Sequence, residues 1–298
     1  MRRARDTGQH PMSAIAVPAR RFASLVKIEH TVFALPYAYV GAILAVSGWP
    51  GLRGMLWITV AMAGARSFAM AANRLIDAAI DARNPRTASR ELPAGLLSRA
   101  QVVVFALVSL ALFLLAVWQL DPITHWLWPF VVVPMVIYPY LKRVTPLCHL
   151  WLGLVDGLAP IGAWAALTGH VPLAAWLLGG AVALWIAGFD VIYATFDLEI
   201  DRAQGLHSLP VDLGLARALT VVRVAHLATV GLLVAVGLNL SLGPAYYAGV
   251  AIVALLLAYE NSIVHPDDLS RVDAAFFSVN GAIAVLYLAA VALDAAIA

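Results

Sequence analysis

Long apolar runs separated by short polar stretches dominate the chain. Nine such runs are predicted at 31–48, 55–75, 99–119, 125–141, 149–168, 173–195, 218–238, 245–262 and 274–296. Each is close to the roughly 20 residues needed to cross a hydrocarbon core of about 30 Å. They are rich in Ala, Leu and Val with interior Gly, and none alternates with period two. That pattern predicts helices rather than the alternating strands of a closed barrel. The expected architecture is all-α: a polytopic membrane protein of nine transmembrane helices.

Composition agrees. Of 298 residues, 62% are hydrophobic and 12% charged, and mean hydropathy is +0.87. Soluble domains carry about 25% charged residues, so a soluble enzyme, a disordered chain and a disulfide-stapled secreted module are excluded. The single cysteine, Cys148, leaves no internal disulfide and no thiolate metal cluster. No nucleic-acid partner is expected; the partner is the lipid bilayer. The basic start, Met1-Arg2-Arg3-Ala4-Arg5, lacks a prompt apolar run after it and is read as a tail rather than a cleaved leader. The expected division is a tail over 1–26 and one domain over 27–298.

The position of the charges is more informative than their number. Of 19 Lys and Arg, 16 fall before span 1 or in the 2–3, 4–5, 6–7 and 8–9 connections, and only Arg53 lies opposite. Positive residues stay on the cytoplasmic side, so the N-terminus is placed in the cytoplasm, in a bacterial-type inner membrane. The acids gather on the same side: of 17, only Asp121 and Asp294 lie on the far side and Asp156 in mid-span. No orientation rule demands that. A field of both signs at one face suggests a site for a charged substrate.

Two stripes stand out in that field. Asn73, Asp77 and Asp81 are spaced i, i+4, i+8, and Arg66 extends their face. Asp190, Asp197 and Asp201 form a second stripe at the end of another even-numbered span. Like charges at i, i+4 destabilise a helix, and more so at a membrane boundary, so something must offset the repulsion. Carboxylate and amide oxygens suit Mg²⁺, and the nearby arginines and Lys142 suit phosphate. The spacing points to a metal-bridged diphosphate at a membrane surface. A solvated helix face is the simpler reading of one such stripe; two, both flanked by basic loops, favour a site. A secondary transporter is the rival class, and it would place charges near the bilayer centre.

These motifs resemble the UbiA superfamily of intramembrane aromatic prenyltransferases. The resemblance is carried by Asn73-xxx-Asp77-xxx-Asp81, by Asp190-xx-Tyr193-Ala194-xx-Asp197-xxx-Asp201, by Asn84-Pro85-Arg86-Thr87 and by Tyr138-Pro139-Tyr140-Leu141-Lys142-Arg143, and it runs from about Lys27 to Asn280. It implies helices around a central cavity open to the cytoplasm. It implies Mg²⁺ as cofactor, held by Asn73, Asp77, Asp197 and Asp201, with Asp81 and Asp190 ligating directly or through water. Lys142, Arg66, Lys27 and Arg143 would clamp phosphate, and Tyr193 would shield an allylic cation or anchor at the interface. Asn280 would face the cavity or another helix.

The subgroup resembled is that of 4-hydroxybenzoate polyprenyltransferases. It includes members that prenylate 1,4-dihydroxy-6-naphthoate on the futalosine route to menaquinone. The substrates implied are a polyprenyl diphosphate and an aromatic acid, for ubiquinone or menaquinone synthesis. Haem, chlorophyll and lipid-ether prenyltransferases share the aspartates and are the alternatives within the superfamily. Arg74, Asp156 and Asp273 depart from the family pattern. His149 and His207 are read as loop hydrogen-bonders, and Trp49, Trp126 and Trp128 as interfacial belt residues.

Overall fold

A computed structural model describes residues 21–22, 24–26 and 31–298. Most of the predicted tail, and Lys27, lie outside the described residues. Among the described residues, nine helices of at least 16 residues fall where the apolar runs predict them. They are α1 (Thr31–Val46), α2 (Gly51–Asp81), α3 (Arg99–Trp118), α4 (Thr124–Leu141), α5 (Cys148–Thr168), α6 (Leu173–Ala194), α7 (Leu215–Leu240), α8 (Pro244–Ile263) and α9 (Asn280–Ile297). Two short helices, Leu198–Gln204 and Leu209–Leu213, link α6 to α7, and a π-helical stretch, Ala274–Val279, leads into α9. All but α1 and α4 belong to segments long and apolar enough to cross a membrane. α1 has only 16 residues, and α4 carries Pro129, Pro134 and Pro139 within its 18 residues.

Helix ends follow local chemistry. α3 opens on a capping box in which Ser98 Oγ accepts from Gln101 N (3.2 Å) and Gln101 Oε1 accepts from Ser98 N (2.8 Å). The start of α8 is capped from another element: Asp294, on α9, accepts from Gly243 N (2.9 Å) and Tyr246 N (3.1 Å). That is the favoured place for a carboxylate near a helix N-terminus.

Helices pack through small residues. The most extensive contact is α5 on α6, followed by α6 on α7 and α2 on α3. A Cβ on Gly153 would collide with the carbonyl oxygen of Ala183, and one on Gly157 would lie 2.5 Å from Gly179 O. The α5–α6 crossing is close because both backbones are bare there, as is usual where lipid offers no hydrophobic drive. α1 packs on α5 and α9, and α4 on α5 and α2. A cavity of about 440 Å³ remains, walled mainly by α2, α4, α5 and α6. Buried Trp185, Tyr246, Tyr287 and Leu178 form the main core beside it.

Candidate active site

The cavity is polar at one end and apolar over the rest. Asn73, Asp77, Asp81, Lys142, Asp190, Tyr193, Asp197 and Asp201 all line it, as does Arg66. Both stripes therefore reach one space. α2 continues six residues beyond the predicted end of its span, to Asp81, and so carries its stripe as regular helix. The second stripe turns through a 3₁₀ segment, Thr195–Asp197, before Leu198–Gln204 resumes. Deeper in, Ile58, Met62, Phe113, Val131, Met135 and Ile186 make the apolar wall.

Each acid of the first stripe is engaged by a base. Lys142 Nζ donates to Asp77 Oδ2 (2.6 Å) and Arg143 donates to Asp77 Oδ1 (3.0 Å). Asn73 Nδ2 lies 3.4 Å from Asp77 Oδ2. Arg143 also donates to Ile76 O at 3.0 Å. It braces Asp77 from the side and does not line the cavity. Arg90 donates to Asp81 Oδ1 (2.7 Å), and Arg74 stands 4.0 Å from Asp81 Oδ2, which is buried without a hydrogen bond.

The connection after α2 joins the two stripes. Arg86 grips both oxygens of Asp197 and donates to the Tyr193 hydroxyl at 2.8 Å. Its guanidinium lies 5.1 Å from the Tyr193 ring centroid, within cation–π range. Asn84 Nδ2 donates to Asp197 Oδ1 at 2.8 Å. Burial alone would lower the Arg86 pKa. The bonds to Asp197 and Tyr193 outweigh it and hold the guanidinium above its ordinary value. Arg86 is legible in the sequence through the Asn84-Pro85-Arg86-Thr87 stretch and Arg90 only as a base of the 2–3 connection; their partners lie on other elements.

Asp190 lies beside His149, with Nδ1 2.7 Å from Oδ2. His149 is not a loop hydrogen-bonder as expected. It sits in the first turn of α5, is buried, and lines the cavity. Trp128 also lines the cavity, whereas Trp49 and Trp126 are exposed. Asn280 corrects the reading in another direction. It is fully buried, lies off the cavity, and bonds Trp185 and Glu260, so of the two expected placements it takes the one against other helices. Arg66 lies about 16 Å from Asp77 along α2, at 1.5 Å per residue. It lines the mid-cavity with Asp156, and its Nε is buried without a hydrogen bond.

Whether the donors suit a metal can be judged from this geometry. Among the described residues no three His, Cys, Asp or Glu side chains converge enough to hold an ion by themselves. Mg²⁺ does not require that, since it ordinarily takes one or two carboxylates and completes its shell with substrate phosphates and water. The donors here are hard oxygens. Asp81 Oδ2 is buried without a hydrogen bond, and among the described residues no hydrogen bond or ion pair engages the Asp201 carboxylate. The donor set fits Mg²⁺ bound together with a diphosphate.

Residues 34–286 match the UbiA prenyltransferase family. The chain is 31% identical over 253 residues to 4-hydroxybenzoate octaprenyltransferase of Vibrio cholerae, covering 84% of this chain and 88% of that one. It is 36% identical over 222 residues to the enzyme of that name from Xanthomonas euvesicatoria, covering 73% and 72%. Among solved structures, the apo structure of a UbiA homolog from Aeropyrum pernix K1 superposes with a TM-score of 0.81 at 34% identity, over 90% of this chain and 98% of that one. A UbiA homolog from Archaeoglobus fulgidus bound to DMAPP and Mg²⁺ gives a TM-score of 0.74 at 21% identity, over 93% and 100%, a likeness of fold.

Proposed function

The chain belongs to the UbiA prenyltransferase family, and on that premise we propose that it transfers a polyprenyl group from a polyprenyl diphosphate to an aromatic hydroxy acid. The acceptor is 4-hydroxybenzoate or 1,4-dihydroxy-6-naphthoate, and the product serves quinone biosynthesis. The observation that carries this reading is one cavity with paired acids and bases at its mouth and a largely apolar interior in which Arg66 and Asp156 lie deep. The curated relatives' names support the acceptor class. The positions of the nine helices and the one-sided charge support nine crossings, a cytoplasmic N-terminus and a mouth facing the cytoplasm.

Asn73, Asp77, Asp197 and Asp201 hold Mg²⁺ in this reading, with Asp81 contributing directly or through water. Bound there, Mg²⁺ supplies Lewis-acid stabilisation of the departing diphosphate. Lys142, Arg86 and Arg90 line the mouth and turn from their carboxylates to phosphate oxygens, placing positive charge where negative charge develops. Arg143 keeps Asp77 aimed into the mouth. Arg66 is too deep to reach that diphosphate; it takes the acceptor's carboxylate. Asp190, held by His149 at one oxygen, presents the other to the substrates. Tyr193, Phe189 and Phe276 shield the allylic cation, and the apolar wall keeps water from it.

The test is an assay in membranes containing the protein, a polyprenyl diphosphate, Mg²⁺ and the two acceptors offered side by side. The expected result is a C-prenylated product with at least one acceptor, lost on chelation and restored by Mg²⁺. Absence of product with both acceptors overturns the substrate assignment.

A further inference from the structure

Behind the aromatic wall of the cavity lies a polar cluster that the proposed reaction does not use. Glu260 on α8 and Asn280 at the start of α9 are both 0% exposed. Asn280 Nδ2 donates to Glu260 Oε1 (2.9 Å) and approaches the backbone carbonyls of Ala275 (2.9 Å) and Phe276 (3.3 Å). Trp185 Nε1, on α6, donates to Asn280 Oδ1 at 2.7 Å. Glu260 Oε2 is buried without a hydrogen bond. A carboxyl group inside a membrane bundle is costly, and an apolar side chain of similar size would pack there at lower cost. The cluster is explained by what it holds.

It holds an irregular turn. Ala274–Val279 is a π-helical stretch, in which one extra residue per turn shifts the carbonyls out of the ordinary helical ladder. Buried carbonyls need donors, and the Asn280 amide supplies one to Ala275 and Phe276. Phe276 is the residue of this turn that lines the cavity. Its ring centroid lies 4.3 Å from that of Tyr193 and 5.3 Å from that of Phe189. Phe189 in turn meets Trp185 edge-on at 5.1 Å. Trp185 thus belongs to both the polar cluster and the aromatic wall.

We propose that Glu260 and Asn280 are positioning residues for prenyl transfer: they fix the π-helical turn so that Phe276 and Tyr193 close the wall around the allylic cation. This rests on the prenyl-transfer reading above. When the carbon–oxygen bond of the diphosphate ester breaks, its electron pair leaves with the diphosphate. The cation is then captured in one of two ways. The aromatic carbon forms the new carbon–carbon bond and its ring proton is released; or water forms a carbon–oxygen bond and loses a proton, giving prenyl alcohol. The position of the wall sets the ratio between these outcomes.

The experiment measures both products from a labelled polyprenyl diphosphate in membranes carrying wild type, E260Q or E260L. E260L removes the acceptor for Asn280 Nδ2, and its ratio of prenyl alcohol to prenylated acceptor is expected to rise roughly tenfold, with KM for the diphosphate little changed. E260Q keeps an acceptor oxygen and is expected to stay near the wild-type ratio. W185F removes the donor to Asn280 Oδ1 together with part of the ring that meets Phe189; it carries the same expectation as E260L and serves if E260L does not fold. An unmoved ratio in folded E260L or W185F, or an E260Q ratio as high as that of E260L, overturns the assignment. Wild-type protein that prenylates no acceptor overturns the parent reading and this one with it; wild-type transfer with unmoved ratios overturns this one alone.

Discussion

Asp77→Asn separates the two jobs assigned to this carboxylate. The side chain is 3% exposed and accepts from Lys142 Nζ at 2.6 Å and from Arg143 at 3.0 Å. A charge-assisted hydrogen bond contributes about 1.5–3 kcal/mol when well shielded. The two bases are 28% and 31% exposed, so water screens them once the carboxylate charge is gone. The loss of folding stability is then about 2 kcal/mol, which most membrane bundles of this size would survive. Loss of a group that stabilises charge in the transition state costs more, about 3–4 kcal/mol, or some 10²–10³-fold in rate. D77N is therefore expected to remain folded by size exclusion and thermal unfolding. Its kcat/KM for prenyl transfer should fall at least a hundredfold, with more Mg²⁺ needed for half-maximal rate. Turnover within tenfold of wild type at an unchanged Mg²⁺ requirement refutes the assignment of Asp77 to the metal and leaves it as a partner of Lys142.

Four further outcomes follow from the geometry. Asp197→Ala should abolish Mg²⁺-dependent product, while Arg86→Lys, which replaces a two-point grip with a single contact, should lower kcat/KM by about tenfold; initial rates in membranes check both. Arg66→Ala should raise KM for a carboxylated acceptor by roughly ten- to a hundredfold and leave KM for the diphosphate unchanged, read by varying each substrate in turn. Gly153→Leu should force α5 from α6 at the Ala183 carbonyl and cost several kcal/mol, seen as loss of monodisperse protein after detergent extraction.

The helices were legible because each apolar run is local, and the first stripe because Asn73, Asp77 and Asp81 share one uninterrupted helix face. What joins the stripes was not legible. Arg86 and Asn84 meet Asp197 more than a hundred residues later, and no periodicity encodes that. His149 was misread because its partner, Asp190, lies 41 residues later on another helix, and no local pattern writes that pairing. Asn280 could not be assigned a face because the π-helical turn before it breaks the 3.6-residue register. An extra residue rotates everything after it by about 100°. Sequence reasoning found the charged residues of the mouth and missed their partners for one reason: helix faces are written locally, pairings between helices are not.

The mouth also has a consequence for how its two ligands arrive. Asp77, Asp81 and Asp197 are each already neutralised by a base of the chain itself. A lone Mg²⁺ drawing on those carboxylates would strand Lys142, Arg86 and Arg90 without counter-charge, and a lone diphosphate drawing on those bases would strand the acids. Together they exchange partners, so that these three acids and three bases stay matched before and after. On the proposed reading, metal and diphosphate are thereby linked thermodynamically: each should raise the affinity for the other by the same factor, and the mouth should favour the pair over either member.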